Sequence, residues 1–203
     1  MTVNIFRQFS TGDIWTRNQR LGHFLALVFA AVGLFMGLNL RDSLLYETVE
    51  YFDPAAGIRI QYPVGWLIDT NRTDYLFRAQ DVSRIGYRTT LQVATTPISA
   101  DMSARNILDN LSYKRSIEQS QYQQHFIDTD YALPNGETAT LMEYVFVVSE
   151  NNPFQRSLPE TVIGRDILII RRGQGILITF VAAADTYEAD LAIFDRFMST
   201  LSF

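Results

Sequence analysis

The chain has no cysteine and only two histidines among its 203 residues. Without cysteine there is no disulfide framework, thiol nucleophile, cysteine-ligated zinc or iron–sulfur cluster, and no lipoprotein anchor. Basic residues are also in the minority, with 17 Lys and Arg against 22 Asp and Glu. The resulting net charge of −5 argues against a nucleic-acid binder, which needs a basic surface. The composition, 47% apolar and 19% charged, is that of a folded protein.

Charged residues are missing altogether from residues 21–40. Residues 1–20 before this block carry three Arg and one Asp, a charge of +2, whereas residues 41–203 carry 14 basic and 21 acidic residues, a charge of −7. A helix of 20 residues is about 30 Å long, which matches the hydrocarbon core of a bilayer. The sequence therefore predicts a transmembrane helix over residues 21–40, with Trp15 and Tyr46 as aromatic anchors near its ends.

The apolar block favours an uncleaved anchor over a cleaved signal peptide. It is longer than the usual h-region, its polar lead is long, and no small-x-small cleavage site follows it. Arg17 and Arg20 directly precede the block, while Arg41 follows it beside Asp42. By the positive-inside rule the N-terminus is cytoplasmic. We expect a single-pass protein of the plasma (inner) membrane of a bacterium, whose C-terminal domain is periplasmic or extracellular.

Small residues recur along the predicted helix at Ala26, Ala30, Gly33 and Gly37, and the last two form a GxxxG motif. This spacing lets a second helix approach closely. Glycine and alanine are also frequent in membrane helices, so a chance match is the alternative interpretation. His23, about one turn inside the cytoplasmic end, is a candidate ligand for a pigment or haem. A polar side chain that reaches the interface is the simpler interpretation.

Residues 41–53 are predicted to be a polar linker, and the periodicity of residues 54–203 predicts strands, a helix, strands and a last helix. An Asn-Gly pair at Asn135 and Gly136 predicts one hairpin, and an Arg-Arg-Gly turn predicts another. This order of elements predicts an α+β domain on a mainly antiparallel sheet. The predicted elements are strands near 58–62, 75–80, 89–95, 125–133, 137–148, 161–170 and 174–183, and helices near 103–119 and 185–201.

The stretch from Gly57 to Trp66, GIRIQYPVGW, resembles the first strand and P-x-G-W turn of PsbP-like domains. These include the extrinsic PsbP protein of photosystem II and a fold-related Ran-binding factor of nuclear transport. The order of elements up to the terminal helix continues the resemblance. It implies an α/β/α layered domain that binds to a larger membrane assembly. No metal-binding or docking residue of that family can be matched to this sequence, so the resemblance implies no cofactor.

Few residues in the sequence are candidates for catalysis or metal binding. His125, Asp128 and Asp130 form the only histidine–carboxylate cluster outside the membrane block. Regular strand alternation places the two carboxylates on one face and His125 on the other. Asp128 and Asp130 are therefore candidate ligands for a hard cation, and an exposed strand face is the alternative. The sequence lacks both a Gly-x-Ser-x-Gly elbow and a glycine-rich phosphate loop.

Two further charged features remain. Asp166 lies among isoleucines, and we consider a buried functional carboxylate, a side chain that faces solvent, or a partner of a neighbouring-strand arginine such as Arg165 or Arg88. Arg171 and Arg172 at a hairpin tip are candidates for contact with anionic lipid or an acidic partner, and a solvated turn is the simpler interpretation.

These observations favour a non-enzymatic, single-pass accessory or assembly subunit of a membrane complex of photosynthetic or respiratory electron transport. Its expected partners are integral membrane subunits, reached through the helix and the extracytoplasmic domain, and membrane lipid. The alternative is an independent membrane-anchored domain that binds or senses a small ligand. No catalytic residue, cofactor or nucleic-acid partner is expected in either case.

Overall fold

The structure is a computed structural model that describes residues 17–45, 47–54, 56–99, 102–149 and 158–202. The chain divides into two compact units, Met1–Glu47 and Thr48–Phe203. The anchors Trp15 and Tyr46 and most of the basic lead lie outside the described residues.

The first unit contains helix α1, Arg17–Leu45. The predicted apolar block lies inside it, and the segment Leu21–Arg41 is long and apolar enough to cross a membrane. Every side chain of this segment is exposed. The N-terminal apolar helix predicted from the sequence is thus present, and it is longer at both ends than the uncharged block.

The second unit is built on a seven-stranded sheet in the order β3-β4-β5-β9-β8-β7-β6, in which all neighbours are antiparallel. A separate two-stranded ribbon pairs β1 with β2. The strands are β1 Thr48–Asp53, β2 Ile58–Pro63, β3 Leu67–Arg72, β4 Tyr75–Gln80, β5 Thr90–Pro97, β6 Ser120–Ala132, β7 Thr138–Val148, β8 Glu160–Arg171 and β9 Gln174–Ala183. The α+β class and the mainly antiparallel sheet are confirmed.

Helices α2, Ala104–Glu118, and α3, Tyr187–Thr200, lie on opposite faces of this sheet. Helix α3 and the ribbon cover one face around Phe77, Phe180 and Phe194. Helix α2 covers part of the other face through Leu108, which packs in one core with Tyr144, Phe146 and Val162. The layering is therefore helix, sheet, helix.

Two strands were missed from the sequence. Residues 48–53, expected to belong to a linker, form β1, because Tyr51 and its neighbours pair with β2. Strand β3 follows directly after the turn at Gly65, in a stretch for which the sequence predicts no strand. Both are short strands whose described side chains are mostly exposed or half-buried, so they show little of the apolar alternation that marks a strand in a sequence.

Candidate functional site

The small-residue stripe of α1 has no partner within the described chain. A Cβ atom added at Gly33 or Gly37 would meet nothing within 4 Å. Gly22 extends the stripe by one turn, at the same spacing from Ala26, and was not singled out from the sequence. This open helix face can accept either lipid or a second helix. His23 is exposed on the same helix.

The predicted cation ligands lie on β6, whose pairing is irregular on both sides of Asp128. His125 falls at one irregularity, and Asp130 falls at the next, where its backbone N–H donates to Asp128 Oδ1 at 3.0 Å. The expected arrangement of faces assumed regular alternation, which these β-bulges interrupt. Across the described ranges, no group of three or more His, Asp or Glu side chains is close enough to hold a metal ion.

Asp166 is fully buried and is bound by Arg115 from α2 through both carboxylate oxygens, with Arg115 Nη2 3.2 Å from Oδ1. The Thr179 hydroxyl on β9 donates to the same Oδ1 at 2.7 Å. The predicted partners were wrong, since Arg165 pairs with Glu143 on β7 and Arg88 is exposed. A signal for the true partner existed: Arg115 continues the apolar helix face of α2, where a lone arginine needs a buried acid.

An aromatic cluster surrounds this ion pair. The Arg115 guanidinium lies 4.2 Å from the centre of the Tyr144 ring, which in turn contacts the rings of Tyr122 and Phe146 at 5.5 and 6.1 Å. Burial by itself lowers the pKa of Arg115, but the Asp166 carboxylate more than reverses this and keeps the guanidinium charged. The group is closed and internally paired, so it acts as a structural clamp between α2 and the sheet.

A second buried carboxylate fixes the loop between β4 and β5. Asp190 on α3 accepts from Arg84 at 2.7 and 3.0 Å and from the Thr89 hydroxyl at 2.6 Å. Tyr87 N–H donates to Glu160 at 2.9 Å. At the tip of this tightly held loop, the side chain of Ile85 is fully exposed. These contacts hold the loop in place, and it exposes apolar side chains at Ile85 and Val82.

The hairpin tip with the predicted basic pair is a tight turn. Arg172 and Gly173 both have positive φ, 51° and 75°, which is the backbone geometry of a two-residue hairpin turn. Arg171 forms an ion pair with Glu137 at 3.5 Å, so one of the two charges is partly neutralised, while Arg172 is exposed. The contacts described in the structure do not show whether this tip binds lipid or an acidic partner, so that binding stays a prediction.

Tyr87 gives a prediction for alkaline pH. Burial raises its pKa to about 12 from 10.0, although Arg78 and Arg115 act in the opposite direction. Below pH 10 the Tyr87 hydroxyl keeps its proton in both the folded and the unfolded chain, so its contribution to the free energy of unfolding is fully present. As the pH rises towards 12 the unfolded chain loses this proton before the folded chain does, and the contribution disappears. Two pKa units correspond to about 2.7 kcal/mol. We expect Tyr87→Phe to lose about 2–3 kcal/mol less free energy of unfolding than the wild type over this range.

Urea unfolding on either side of that pH range measures this difference directly. Other buried tyrosines also titrate late, so the comparison with the variant isolates Tyr87. Equal losses in wild type and variant would contradict the assignment.

Comparison with known proteins shows the fold. No protein-family model matches the sequence, and no curated protein matches it either. Cyanobacterial PsbP (CyanoP) from Synechocystis sp. PCC 6803 is similar in structure, with 16% identity, a TM-score of 0.55, and coverage of 76% of this chain and 91% of that chain. LpqN of Mycobacterium tuberculosis, a protein involved in cell envelope biogenesis, has 10% identity, a TM-score of 0.50, and coverage of 77% and 90%. The domain therefore has a PsbP-like fold, as the sequence resemblance implied.

Proposed function

We propose that this chain is a non-enzymatic accessory or assembly subunit of a larger membrane protein complex. The observation that carries the proposal is the pairing of a fully exposed apolar helix with a domain that has its own cores on both sheet faces. Exposed apolar surface is unfavourable in water by about 25 cal/mol per Å². Helix α1 therefore needs lipid or a protein partner, and the domain does not need the helix in order to bury its own core.

The distribution of charge supports a location in the bacterial plasma membrane, with the N-terminus in the cytoplasm. Arg17 and Arg20 begin the apolar helix, whereas the residues after it are acidic overall. LpqN, which shares the fold, is involved in cell envelope biogenesis, and this agrees with an extracytoplasmic domain. The likeness to CyanoP supports a photosynthetic complex as the assembly, and a respiratory complex is the other expected member of this class.

Contact with the partner subunits is assigned to two surfaces. In the membrane, the stripe of α1 lets a second helix pack closely; its residues are Ala26, Ala30, Gly33 and Gly37. Outside the membrane, the fixed apolar tip at Ile85 offers a preorganised contact, which loses little conformational entropy on binding. No catalytic role is assigned to any residue.

Gly33→Leu tests the helix contact. A leucine side chain would fill the stripe and keep a second helix away. We therefore expect the fraction of the chain that stays in its complex in mild detergent to fall at least tenfold. Ala31→Leu is the matched control, because it introduces the same side chain about 160° around α1 from Gly33, away from the stripe. Native separation followed by detection of the chain measures the retained fraction. If both variants are retained like the wild type, the stripe is not an interface.

A further inference from the structure

A row of polar side chains crosses the α2 face of the sheet beyond the region where α2 packs. Thr179, Gln92, Arg78 and Asp69 lie directly opposite one another on β9, β5, β4 and β3. Directly opposed residues of antiparallel strands share a face. Helix α2 packs on β6, β7 and β8, and Arg78 and Gln92 remain partly exposed beside it. We refer to Arg78, Gln92 and Thr179 as the polar shelf.

Arg78 is held firmly on this shelf. Its Nε and Nη2 both donate to Gln92 Oε1, at 2.9 and 2.7 Å. Its guanidinium also lies 4.0 Å from the centre of the Tyr75 ring. Two hydrogen bonds and a ring contact fix both the position and the plane of the guanidinium before any ligand binds.

This fixed cation has no carboxylate within ion-pair distance among the residues that the structure describes. Asp69, opposite in the sheet, accepts instead from the Tyr75 hydroxyl at 2.6 Å and from Arg72 Nε at 3.1 Å. The other half-buried or buried arginines among the described residues of the domain each contact an acid; they are Arg84, Arg115, Arg165 and Arg171. The Tyr75 hydrogen bond is the main effect that lowers the pKa of Asp69, and Arg78 also lowers it, so this carboxylate balances part of the Arg78 charge at longer range. An oriented, half-buried guanidinium with no acid in direct contact can still accept an oxyanion from outside the chain.

Arg78 and Gln92 keep hydrogen-bond donors that these contacts do not use. The bonds described above involve Nε and Nη2 of Arg78 and the Oε1 atom of Gln92, which leaves Arg78 Nη1 and the Gln92 amide N–H groups outside them. These groups supply donors only, which is the arrangement that a carboxylate or phosphate requires.

We propose that the polar shelf binds an oxyanion, a carboxylate or phosphate group of a small molecule, with Arg78 as its charge partner and Gln92 as a hydrogen-bond donor. This site goes beyond the proposed role as an accessory subunit and does not depend on it. The overall negative charge of the domain works against anions in general, so binding has to rest on these local contacts.

Thermal unfolding of the full chain in a non-ionic detergent tests the proposal. The midpoint is followed while inorganic phosphate, or separately acetate, replaces chloride at constant ionic strength. An anion that binds one specific site of the folded chain raises the free energy of unfolding in proportion to the logarithm of one plus the ratio of anion concentration to Kd. We expect the midpoint to rise in this logarithmic way with at least one of the two anions. Phosphate or acetate, whichever gives the rise, identifies the bound group as a phosphate or a carboxylate. Arg78→Gln is expected to weaken the apparent affinity at least tenfold.

Arg59→Gln is the matched control, because Arg59 also lies over an aromatic ring, Phe52 at 5.4 Å, but is already paired with Glu50 at 3.3 Å. It is expected to leave the affinity unchanged. Gln92→Leu keeps the charge of Arg78 and removes the amide that orients it, so it provides a second test if Arg78→Gln fails to fold. No rise above the chloride baseline with either anion, or an equal rise in wild type and both shelf variants, would overturn the proposal.

Discussion

Replacing Asp166 with alanine is expected to lower the free energy of unfolding by about 3–5 kcal/mol. The carboxylate is completely buried and is the acid that compensates Arg115, whose side chain is only 12% exposed. Removing it leaves a buried guanidinium against the Tyr144 ring and an unpaired Thr179 hydroxyl. Chemical denaturation monitored by tryptophan fluorescence measures the loss.

The matched control uses an ion pair at the surface of the same helix. Arg105 and Asp109 are 3.7 Å apart and mostly exposed, so Asp109→Ala is expected to change the free energy of unfolding by less than about 1 kcal/mol. The double variant Arg115→Met with Asp166→Leu removes both buried charges and is expected to be more stable than Asp166→Ala. Equal losses from Asp166→Ala and Asp109→Ala would refute the clamp between α2 and the sheet.

Gly164→Ala is expected to destabilise the domain by about 3 kcal/mol, at the upper end for overpacking. A Cβ at this position on β8 would overlap the Tyr144 ring and lie 2.6 Å from its hydroxyl oxygen. The ring cannot move aside easily, because Arg115 and two further aromatic rings hold it. The strand cannot move either, since it pairs with β7 and β9 on its two sides. The free energy of unfolding from urea titration measures the effect.

Gly175→Ala is the control for this substitution, as Gly175 is also a buried strand glycine. The atom nearest to its added Cβ is Ile98 Cδ1, at 2.8 Å, the flexible end of a side chain that can shift. We expect a smaller loss than for Gly164→Ala. In the Gly164→Ala background, Tyr144→Leu should recover part of the stability by making room for the methyl group. A Gly164→Ala variant as stable as the wild type would mean that the ring packs elsewhere.

The elements that could be predicted from the sequence are those set by local chemistry. Ser103 caps α2 by accepting from the Asn106 N–H, and the Asn135–Gly136 turn joins β6 to β7. Both follow from residues close together in the chain, as does the apolar length of α1. Helix α3 follows the same rule, since Tyr187, Phe194 and Met198 recur at helical spacing and are buried.

The contacts that could not be predicted join residues distant in the sequence. Arg115 and Asp166 are 51 residues apart, and Arg84 and Asp190 are 106 apart. Their pairing depends on which sheet face each helix covers, which periodicity alone does not specify. Arg78 was not singled out either, because its lack of an acid becomes visible only when the neighbouring strands are in place. Alternation also failed along β6, where bulges shift the register around Asp128.

The most direct test of the account is the native composition of the full chain extracted from its own membrane. Mild solubilisation followed by native separation and mass spectrometry reports both particle mass and co-migrating proteins. The account predicts a particle in which other integral membrane subunits accompany this 23.2 kDa chain in a fixed ratio. A chain that migrates alone, with no protein beyond its own mass and bound detergent, would contradict its assignment as an accessory subunit.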